Sequence, residues 1–281
     1  MAPTAETDFE VWGDPVEHSL SPVLHRAAYS VLGLPWTYRY RRVTEELLAS
    51  TWAESGSQLG GVSLTMPLKE RILQMVASRD PIVDTVKAAN TVYRMGESHA
   101  LSNTDPFGVE RALDHFGVDA EHAWVLGAGA TARSVAHALA RRGTRDLTVF
   151  ARDTERAGRS VGLMKDFGLS IRLRSFGELG QALPPQLVAS TLPGSAEDVP
   201  RLPGSVMDSA ALFDVAYSPW PSHYAQAWSV SRQPVVSGLW MLVFQALAQI
   251  RLFVHADVSR ELSNEGRVVD AMLEAVGLPT G

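Results

Sequence analysis

Four short stretches of the sequence carry hydroxyl, amide and ionisable side chains that could bind a small polar molecule. They are Gly13–Pro22, Gly61–Lys69, Ala88–Thr91 and Ser102–Gly108. Each lies at the end of a predicted strand or in a neighbouring loop, where sheets that alternate with helices hold their ligands. Taken singly, the residues also fit plain structural roles: Ser21-Pro22, for example, has the pattern of a serine N-cap followed by the first turn of a helix. Taken together, the stretches predict a ligand site.

A glycine-rich turn in the middle of the chain has the pattern of a dinucleotide site. It consists of Gly127-Ala128-Gly129-Ala130-Thr131-Ala132, after an apolar run typical of a strand and before a predicted helix. Gly127 permits the tight turn, Gly129 lets the backbone approach a pyrophosphate, and Ala132 allows close packing of the helix. The N–H groups at the start of that helix would bind the phosphates. The alternative is a glycine turn without a ligand.

The end of the next strand bears on the choice of dinucleotide. Arg152 follows that strand, and its planar guanidinium suits the 2′-phosphate of NADP, whereas an acidic residue there would favour NAD. Asp153, the next residue, favours NAD. We predict NADP rather than NAD, and the alternative for Arg152 is a solvated side chain.

The elements that must position these residues alternate between strand and helix in the first part of the chain. Strands are predicted at Phe9–Trp12, Trp36–Arg41, Gly61–Thr65, Thr91–Met95 and His99–Ser102, and helices from Ser21 to Gly33, from Thr44, and from Pro67 to Val76. This alternation predicts an α/β sheet that is mostly parallel.

The second part of the chain is more regular. Strands are predicted at Ala123–Leu126, Leu147–Phe150, Ile171–Leu173, Leu187–Ser190, Leu212–Ala216 and Val235-Val236, with helices ending near Arg142 and spanning Thr154–Phe167. The repeat of strand and helix predicts a doubly wound, Rossmann-type domain. Two helices, Gly238–His255 and Ser259–Val276, are predicted to end the chain.

The composition is that of an ordinary globular protein of about two domains. Of 281 residues, 46% are hydrophobic and 20% are charged, and the net charge is −6. The basic pairs are isolated, which argues against a nucleic-acid or membrane partner. The strongly apolar stretch Leu239–Phe244 is far shorter than the ~20 residues of a membrane span.

Several kinds of chemistry are excluded or disfavoured by residue counts. The chain contains no cysteine, which excludes disulfides and thiol nucleophiles and suits a reducing cytosol. His18 and His25 have no further ligand at metal-binding spacing, so no metal site is predicted. The first residues lack a signal pattern. We expect a soluble cytoplasmic protein, a monomer or homodimer, whose partner is a small molecule.

In this order, and ahead of a dinucleotide domain, the polar stretches resemble those of the shikimate dehydrogenase family. The resemblance covers nearly the whole chain, because Asp214–Pro219 and Gly238–Gln245 continue it. It implies an N-terminal α/β substrate domain over residues 1–105, a Rossmann domain over residues 106–237, and C-terminal helices over residues 238–281 that pack back on the first domain.

The resemblance also implies a role for each matching residue. Lys69 and Asp105 match the catalytic pair of the family. The residues at substrate-binding positions are Ser19, Ser21, Thr65, Asn90, Tyr217 and Gln245. The residues at cofactor-binding positions are Gly127, Ala128, Gly129, Ala130, Arg152, Thr191, Gly238 and Met241.

Some positions depart from the family pattern. Ser63 lies where many members have asparagine, and Ala189-Ser190-Thr191 replaces the usual Asn-Ala-Thr. Ala130 and Ala151 replace a frequent glycine and a usual asparagine. These departures concern cofactor detail and leave the predicted catalytic pair unchanged.

The implied reaction is the reversible reduction of 3-dehydroshikimate to shikimate with NADPH, in aromatic amino acid (chorismate) biosynthesis. The cofactor supplies the hydride. The ketone oxygen becomes negative as hydride arrives, and the ammonium group of Lys69 is suited to stabilise and protonate it. Asp105 would orient the lysine and keep it charged. Because the two groups titrate together, the sequence leaves open which of them holds the proton.

Other interpretations of the same residues stay open. A quinate/shikimate dehydrogenase that uses NAD would carry the same pair, and a relative acting on an aminoshikimate is another member of this class. A non-catalytic ligand sensor of the same fold would be expected to have lost catalytic positions, and Lys69, Asp105, Asn90 and Gln245 are all present. An unrelated Rossmann enzyme would require the motifs to coincide by chance.

Overall fold

The computed structural model describes residues 6–193 and 199–280. These residues form two units, one made of the chain up to Thr104 and from Val243 onward, the other spanning Asp105–Leu242. We call them the first and the second unit. Within the described ranges, each contains one six-stranded sheet.

The elements alternate along the chain much as the patterning predicts. The strands are β1 (Thr7–Gly13), β2 (Trp36–Arg42), β3 (Gly61–Leu64), β4 (Ser78–Arg79), β5 (Thr91–Met95), β6 (Ser98–Ser102), β7 (His122–Leu126), β8 (Asp146–Ala151), β9 (Ser170–Ser175), β10 (Leu187–Ser190), β11 (Ala211–Asp214) and β12 (Val235–Ser237). The helices are α1 (Ser21–Leu32), α2 (Leu48–Glu54), α3 (Pro81–Val86), α4 (Asp105–His115), α5 (Ala130–Arg141), α6 (Thr154–Met164), α7 (Gly204–Ser209), α8 (His223–Ala227), α9 (Gly238–His255) and α10 (Glu265–Ala275).

The sheet of the first unit has the strand order β2-β1-β3-β5-β6-β4 and is mixed. β1 pairs in parallel with β2 and β3, whereas β5 pairs antiparallel with β3 and β6. β4 also pairs in parallel with β6. Three of the five described pairings are therefore parallel, and the prediction of a mostly parallel sheet is confirmed, with β5 as the antiparallel strand. Residues 96–97 alone join β5 to β6, and a connection this short can link only antiparallel neighbours.

Side chains from alternate residues of these strands pack on opposite faces of the sheet. On one face, Trp12 and Val62 form a core with Leu48 of α2. On the other, Phe9 contacts Tyr29 of α1 and Phe253 of α9, with ring centroids 5.8 and 4.7 Å apart. The C-terminal helices thus contribute to the core of the first unit, as predicted.

Several predicted helix features are wrong. The helix predicted from Thr44 begins at Leu48, and the one predicted from Ser259 begins at Glu265. The segment Pro67–Val76 forms turns and a short 3₁₀ helix, Arg71–Gln74, because the carbonyl of Lys69 accepts a hydrogen bond from Ala89 N at 2.8 Å rather than from the next helical turn. Ser21 is the first residue of α1 and not its N-cap. The hydroxyl of Ser19 accepts the Ser21 N–H instead, at 3.3 Å.

Among the described residues, α9 is the one helix long and apolar enough to cross a membrane by length and composition alone, with a mean hydropathy of 1.3. However, 72% of it is buried inside the protein. Gln245 and Gln249 lie in its buried part, and their amides are hydrogen-bonded to residues of the first unit. These are features of a core helix.

The second unit has the strand order β12-β11-β10-β7-β8-β9, and its described pairings are all parallel. This order is that of a doubly wound dinucleotide fold, which confirms the predicted fold class. Trp124, Phe150 and Leu212 lie in its core. Since all strands run the same way, their carboxyl ends lie along one edge of the sheet.

Candidate active site

The loops that follow β1 and β3 lie side by side in the first unit. Thr65 N donates to the carbonyl of Trp12 at 2.9 Å, and Asp14 N donates to the carbonyl of Met66 at 2.9 Å. This pairing places the predicted substrate-binding residue Thr65 beside the loop that leads to Ser19. The side chain of Thr65 is partly exposed.

Asn90 is the centre of a buried set of amides and hydroxyls at the start of β5. Its Nδ2 donates to Thr104 Oγ1 at 2.9 Å and to Gln245 Oε1 at 3.2 Å. Its Oδ1 accepts from Thr104 N at 2.8 Å. Asn90 and Gln245 are 155 residues apart in the sequence, so the fold brings together two of the predicted substrate-binding residues.

The backbone links Lys69 and Asp105 to this set in two different ways, Lys69 by a hydrogen bond and Asp105 by its place in the chain. Lys69 accepts at its carbonyl from Ala89, the residue before Asn90. Asp105 follows Thr104 directly and is the first residue of α4, with 3% of its surface exposed. Lys69 is partly exposed.

A buried histidine lies behind the Asn90 set. His25 of α1 is fully buried, stacks on Tyr38 with ring centroids 3.9 Å apart, and contacts Gln249 Oε1 through Nε2 at 3.3 Å. Burial lowers the pKa of His25 from 6.5 to about 3, although the hydrogen bond to Gln249 raises it in part. The ring is therefore neutral under ordinary conditions. Because Gln249 Oε1 only accepts, Nε2 carries the proton and Nδ1 accepts from Tyr29 OH at 3.1 Å.

The neutrality of His25 makes stability depend on pH. With a pKa of about 3 in the folded state against 6.5 in the unfolded state, the unfolded chain binds a proton that the folded chain does not, so stability is lost as pH falls below 6.5. We expect this group alone to cost about 2 kcal/mol between about pH 7 and pH 5. Urea denaturation of the wild type and of His25→Phe checks this. Between about pH 7 and pH 5 the wild type should lose about 2 kcal/mol of its unfolding free energy relative to His25→Phe. A difference between the two proteins that does not change with pH would contradict this role of His25.

The glycine-rich turn joins β7 to α5 as predicted. Gly127 has a φ of +106°, and a Cβ added there would lie 2.5 Å from Thr191 Oγ1, so both the conformation and the space require glycine. Gly129 is the N-cap of α5 and has no capping side chain. The first N–H groups of α5 thus begin at the carboxyl edge of the sheet, where they fit a dinucleotide phosphate.

Thr191 supports this turn from the neighbouring strand. Its backbone N and its Oγ1 each donate to the carbonyl of Leu126 at 2.9 Å. The predicted cofactor-binding residue at position 191 therefore lies next to Gly127.

Two neighbouring residues at the end of β8, Arg152 and Asp153, favour NADP and NAD respectively, and the structure gives them different environments. Asp153 is the N-cap of α6, and its Oδ1 accepts from Arg156 N at 2.9 Å. Its carboxylate is therefore engaged with its own helix. Arg152 is exposed at the same sheet edge, where its guanidinium can meet a phosphate.

The loop after β11 carries Tyr217 and is organised by a buried carboxylate. Asp214 accepts from Ser222 Oγ at 2.6 Å and from Ala216 N at 3.2 Å. Burial raises the pKa of Asp214, although these hydrogen bonds lower it in part. The bond to Ala216 also explains why β11 ends at Asp214 and not at the predicted Ala216. Tyr217, the predicted substrate-binding residue, is half-buried.

Gly238 holds the start of α9 against this loop. A Cβ at Gly238 would lie 2.0 Å from the carbonyl oxygen of Val215, so no other residue permits this approach. Met241 follows Gly238 within the first turn of α9 and is 7% exposed. The two predicted cofactor-binding residues of α9 thus lie on its first turn, near the loop of Tyr217.

Sequence reasoning assigned no role to three polar residues that hold predicted site residues or their loops in place: Thr104 and Gln249 in the first unit, and Asp214 in the second. Thr104 lies inside a stretch that stood out for its polarity. Gln249 is one helical turn after Gln245 in an otherwise apolar helix, and that spacing is a signal that could have found it.

Comparisons with known proteins agree with this arrangement. The family model for the shikimate dehydrogenase substrate binding domain matches residues 11–92. A shikimate dehydrogenase (NADP(+)) of Methanothrix thermoacetophila is 34% identical over 258 residues, which cover 89% of this chain and 92% of the relative.

Solved structures are similar over almost the whole chain. Shikimate dehydrogenase of Mycobacterium tuberculosis superposes with a TM-score of 0.80 at 33% identity, covering 96% of this chain and 99% of that one. A shikimate 5-dehydrogenase of Thermus thermophilus, in complex with NADP(H) and shikimate, gives a TM-score of 0.77 at 29% identity with the same coverage. The resemblance noted from the polar motifs is confirmed: this chain belongs to the shikimate dehydrogenase family.

Proposed function

We propose that this protein interconverts 3-dehydroshikimate and shikimate with NADP as cofactor, as a soluble cytoplasmic enzyme that is a monomer or homodimer. The observation that carries the proposal is the buried set of Asn90, Thr104 and Gln245, built from distant parts of the chain. Relatives named as NADP-dependent shikimate dehydrogenases, similar over 89% of this chain, support it.

The hydroxyls and amides of the first unit suit a substrate with one carboxylate and several ring hydroxyls. Ser19, in the loop before α1, and Ser21, the first residue of α1, would hold the carboxylate. Thr65, Asn90 and Gln245 would bind ring hydroxyls, since amides and hydroxyls both donate and accept hydrogen bonds. Tyr217 would contact the substrate from its own loop.

Lys69 and Asp105 would manage the proton. In the direction of reduction, the ammonium group of Lys69 stabilises the negative charge that grows on the ketone oxygen and then donates a proton to it. Asp105 would orient the lysine and favour its charged form. Their backbone positions, next to Ala89 and Thr104 respectively, support these roles.

The second unit would hold the cofactor, which supplies the hydride when bound. The N–H groups at the start of α5 would bind its pyrophosphate, with Gly127 and Gly129 allowing close approach. Arg152 would bind the 2′-phosphate. The capping role of Asp153 removes the feature that favoured NAD, and supports NADP for this chain.

The test is a spectrophotometric assay of nicotinamide reduction, with shikimate or quinate each paired with NADP⁺ or NAD⁺. We expect the highest kcat/KM with shikimate and NADP⁺. NADP⁺ should be preferred by about ten- to a hundredfold, because a charged hydrogen bond to the 2′-phosphate contributes about 1.5–3 kcal/mol. Arg152→Ala should remove this preference. Higher kcat/KM with quinate and NAD⁺ would favour the alternative dehydrogenase, and no activity in any pairing would contradict the proposal.

A further inference from the structure

Gln249 lies at the centre of a second buried set of polar side chains, beneath the Asn90 set. It is 2% exposed and follows Gln245 by one turn of α9. Below it, Ser63 of β3 and Thr91 of β5 are directly opposite each other in the antiparallel pair. Both are buried, at 3% and 0% exposure.

Every hydrogen-bonding position of the Gln249 amide has a partner. Its Oε1 accepts from Ser63 Oγ at 2.9 Å and from His25 Nε2 at 3.3 Å. Its Nε2 donates to the carbonyl of Asn90 at 3.2 Å and to Thr91 Oγ1 at 3.0 Å. Because a backbone carbonyl only accepts, the amide cannot be reversed without losing these bonds.

The donor and acceptor roles at Thr91 and Asn90 follow from this orientation of the Gln249 amide. Thr91 Oγ1 accepts from Gln249, so its own proton is free to be donated to Asn90 Oδ1, at 2.7 Å. Asn90 therefore presents its oxygen to Thr91 and its amide nitrogen to Gln245, at 3.2 Å. Thr104 N donates to the same oxygen at 2.8 Å. The relay from Gln249 through Thr91 therefore acts together with this backbone bond to direct the Asn90 amide nitrogen toward Gln245, the other predicted substrate-binding residue.

The donor to the amide oxygen of Gln249 is fixed in the same way. Tyr38 OH donates to Ser63 Oγ at 2.6 Å, which leaves the proton of Ser63 for Gln249 Oε1. Ser63 is the position at which the sequence departs from the asparagine of many family members. Here its small hydroxyl bonds directly to the glutamine amide.

We propose that Gln249 is a positioning residue that, through Thr91, orients the Asn90 amide for the hydroxyls of the substrate. This inference rests on the proposed function, because the substrate that Asn90 would bind is shikimate. It assigns Gln249 and Thr91 a part in substrate affinity, although neither is required to touch the substrate.

The experiment compares the full-length wild type with Thr91→Val, Thr91→Ser and Gln249→Met in steady-state shikimate oxidation. Thr91→Val keeps the shape but removes the hydroxyl, whereas Thr91→Ser keeps the hydroxyl and is the matched control. We expect the KM for shikimate to rise about five- to tenfold in Thr91→Val and Gln249→Met, as for loss of one or two neutral hydrogen bonds. The KM for NADP⁺ should be unchanged, and Thr91→Ser should behave as the wild type.

The outcomes separate this inference from the proposed function. A wild type without activity on shikimate overturns the proposed function, and the inference with it. An active wild type whose folded Thr91→Val variant keeps its KM for shikimate overturns the inference alone. A fall in kcat with both KM values unchanged would show a purely structural role, and also overturns it. If Gln249→Met does not fold, by circular dichroism, Thr91→Val and Thr91→Ser decide the question.

Discussion

Lys69→Ala should lower kcat for shikimate oxidation by at least about a hundredfold, since proton transfer by a positioned side chain contributes about 10²–10⁴-fold. Alanine can neither take up the proton of the substrate hydroxyl nor stabilise the oxygen. Lys69 is partly exposed and its segment is held through its backbone carbonyl, so the fold should persist. Steady-state kinetics with circular dichroism as a check on folding would measure the effect.

Two control variants separate catalysis from binding. Lys165→Ala removes an exposed lysine of the second unit and should leave kcat and KM unchanged. Ser19→Ala should mainly raise the KM for shikimate, because a residue that only binds the carboxylate acts in ground and transition state alike. Near-native turnover in Lys69→Ala would refute the role of Lys69, and a large fall in kcat at constant KM in Ser19→Ala would refute that of Ser19.

The sheet of the second unit and its helices α5 and α6 could be predicted from the sequence because each of these elements has a local signal, whereas α4, α7 and α8 were not predicted. The apolar run before Gly127 and the helix after it are consecutive in the chain, so their pattern identifies the turn between them. The antiparallel placement of β5 in the first unit follows from pairing with β3, which depends on tertiary packing. The helix predicted from Pro67 failed for the same reason, since a bond from Ala89 competes with the helical one.

For the candidate site, the sequence identified several residues but not the hydrogen bonds between them. Lys69, Asn90 and Gln245 were identified because their motifs resemble those of a family. Several bonds that hold Asn90 and Gln245 in place join residues 141 to 159 apart in the sequence, such as Thr104 to Gln245 and Gln249 to Asn90. No local pattern encodes such pairs. Only the helical spacing of Gln245 and Gln249 hints that both face the same buried surface.

A buried ion pair within the first unit joins α10 to α9. Arg251 of α9 is bidentate with Glu265, the first residue of α10; its Nε lies 2.8 Å from Oε2, and its Nη2 contacts Oε1. The two side chains are only 9% and 16% exposed. Arg251 also donates to the carbonyl of Val258 at 3.0 Å, and Glu265 accepts from Leu262 N at 2.9 Å. The pair thus orders the connection between the helices.

Arg251→Met should therefore lower the free energy of unfolding by about 3–5 kcal/mol, because it leaves the carboxylate of Glu265 buried without its guanidinium partner. Urea denaturation of the full chain measures the loss. The double variant Arg251→Met/Glu265→Gln removes the buried charge while keeping an oxygen for Leu262 N, so it should be more stable than the single variant. A single variant that loses less than about 1 kcal/mol would mean that water reaches the carboxylate and replaces the arginine. A double variant no more stable than the single one would show that the cost comes from lost packing of the arginine stem, and not from the unpaired charge.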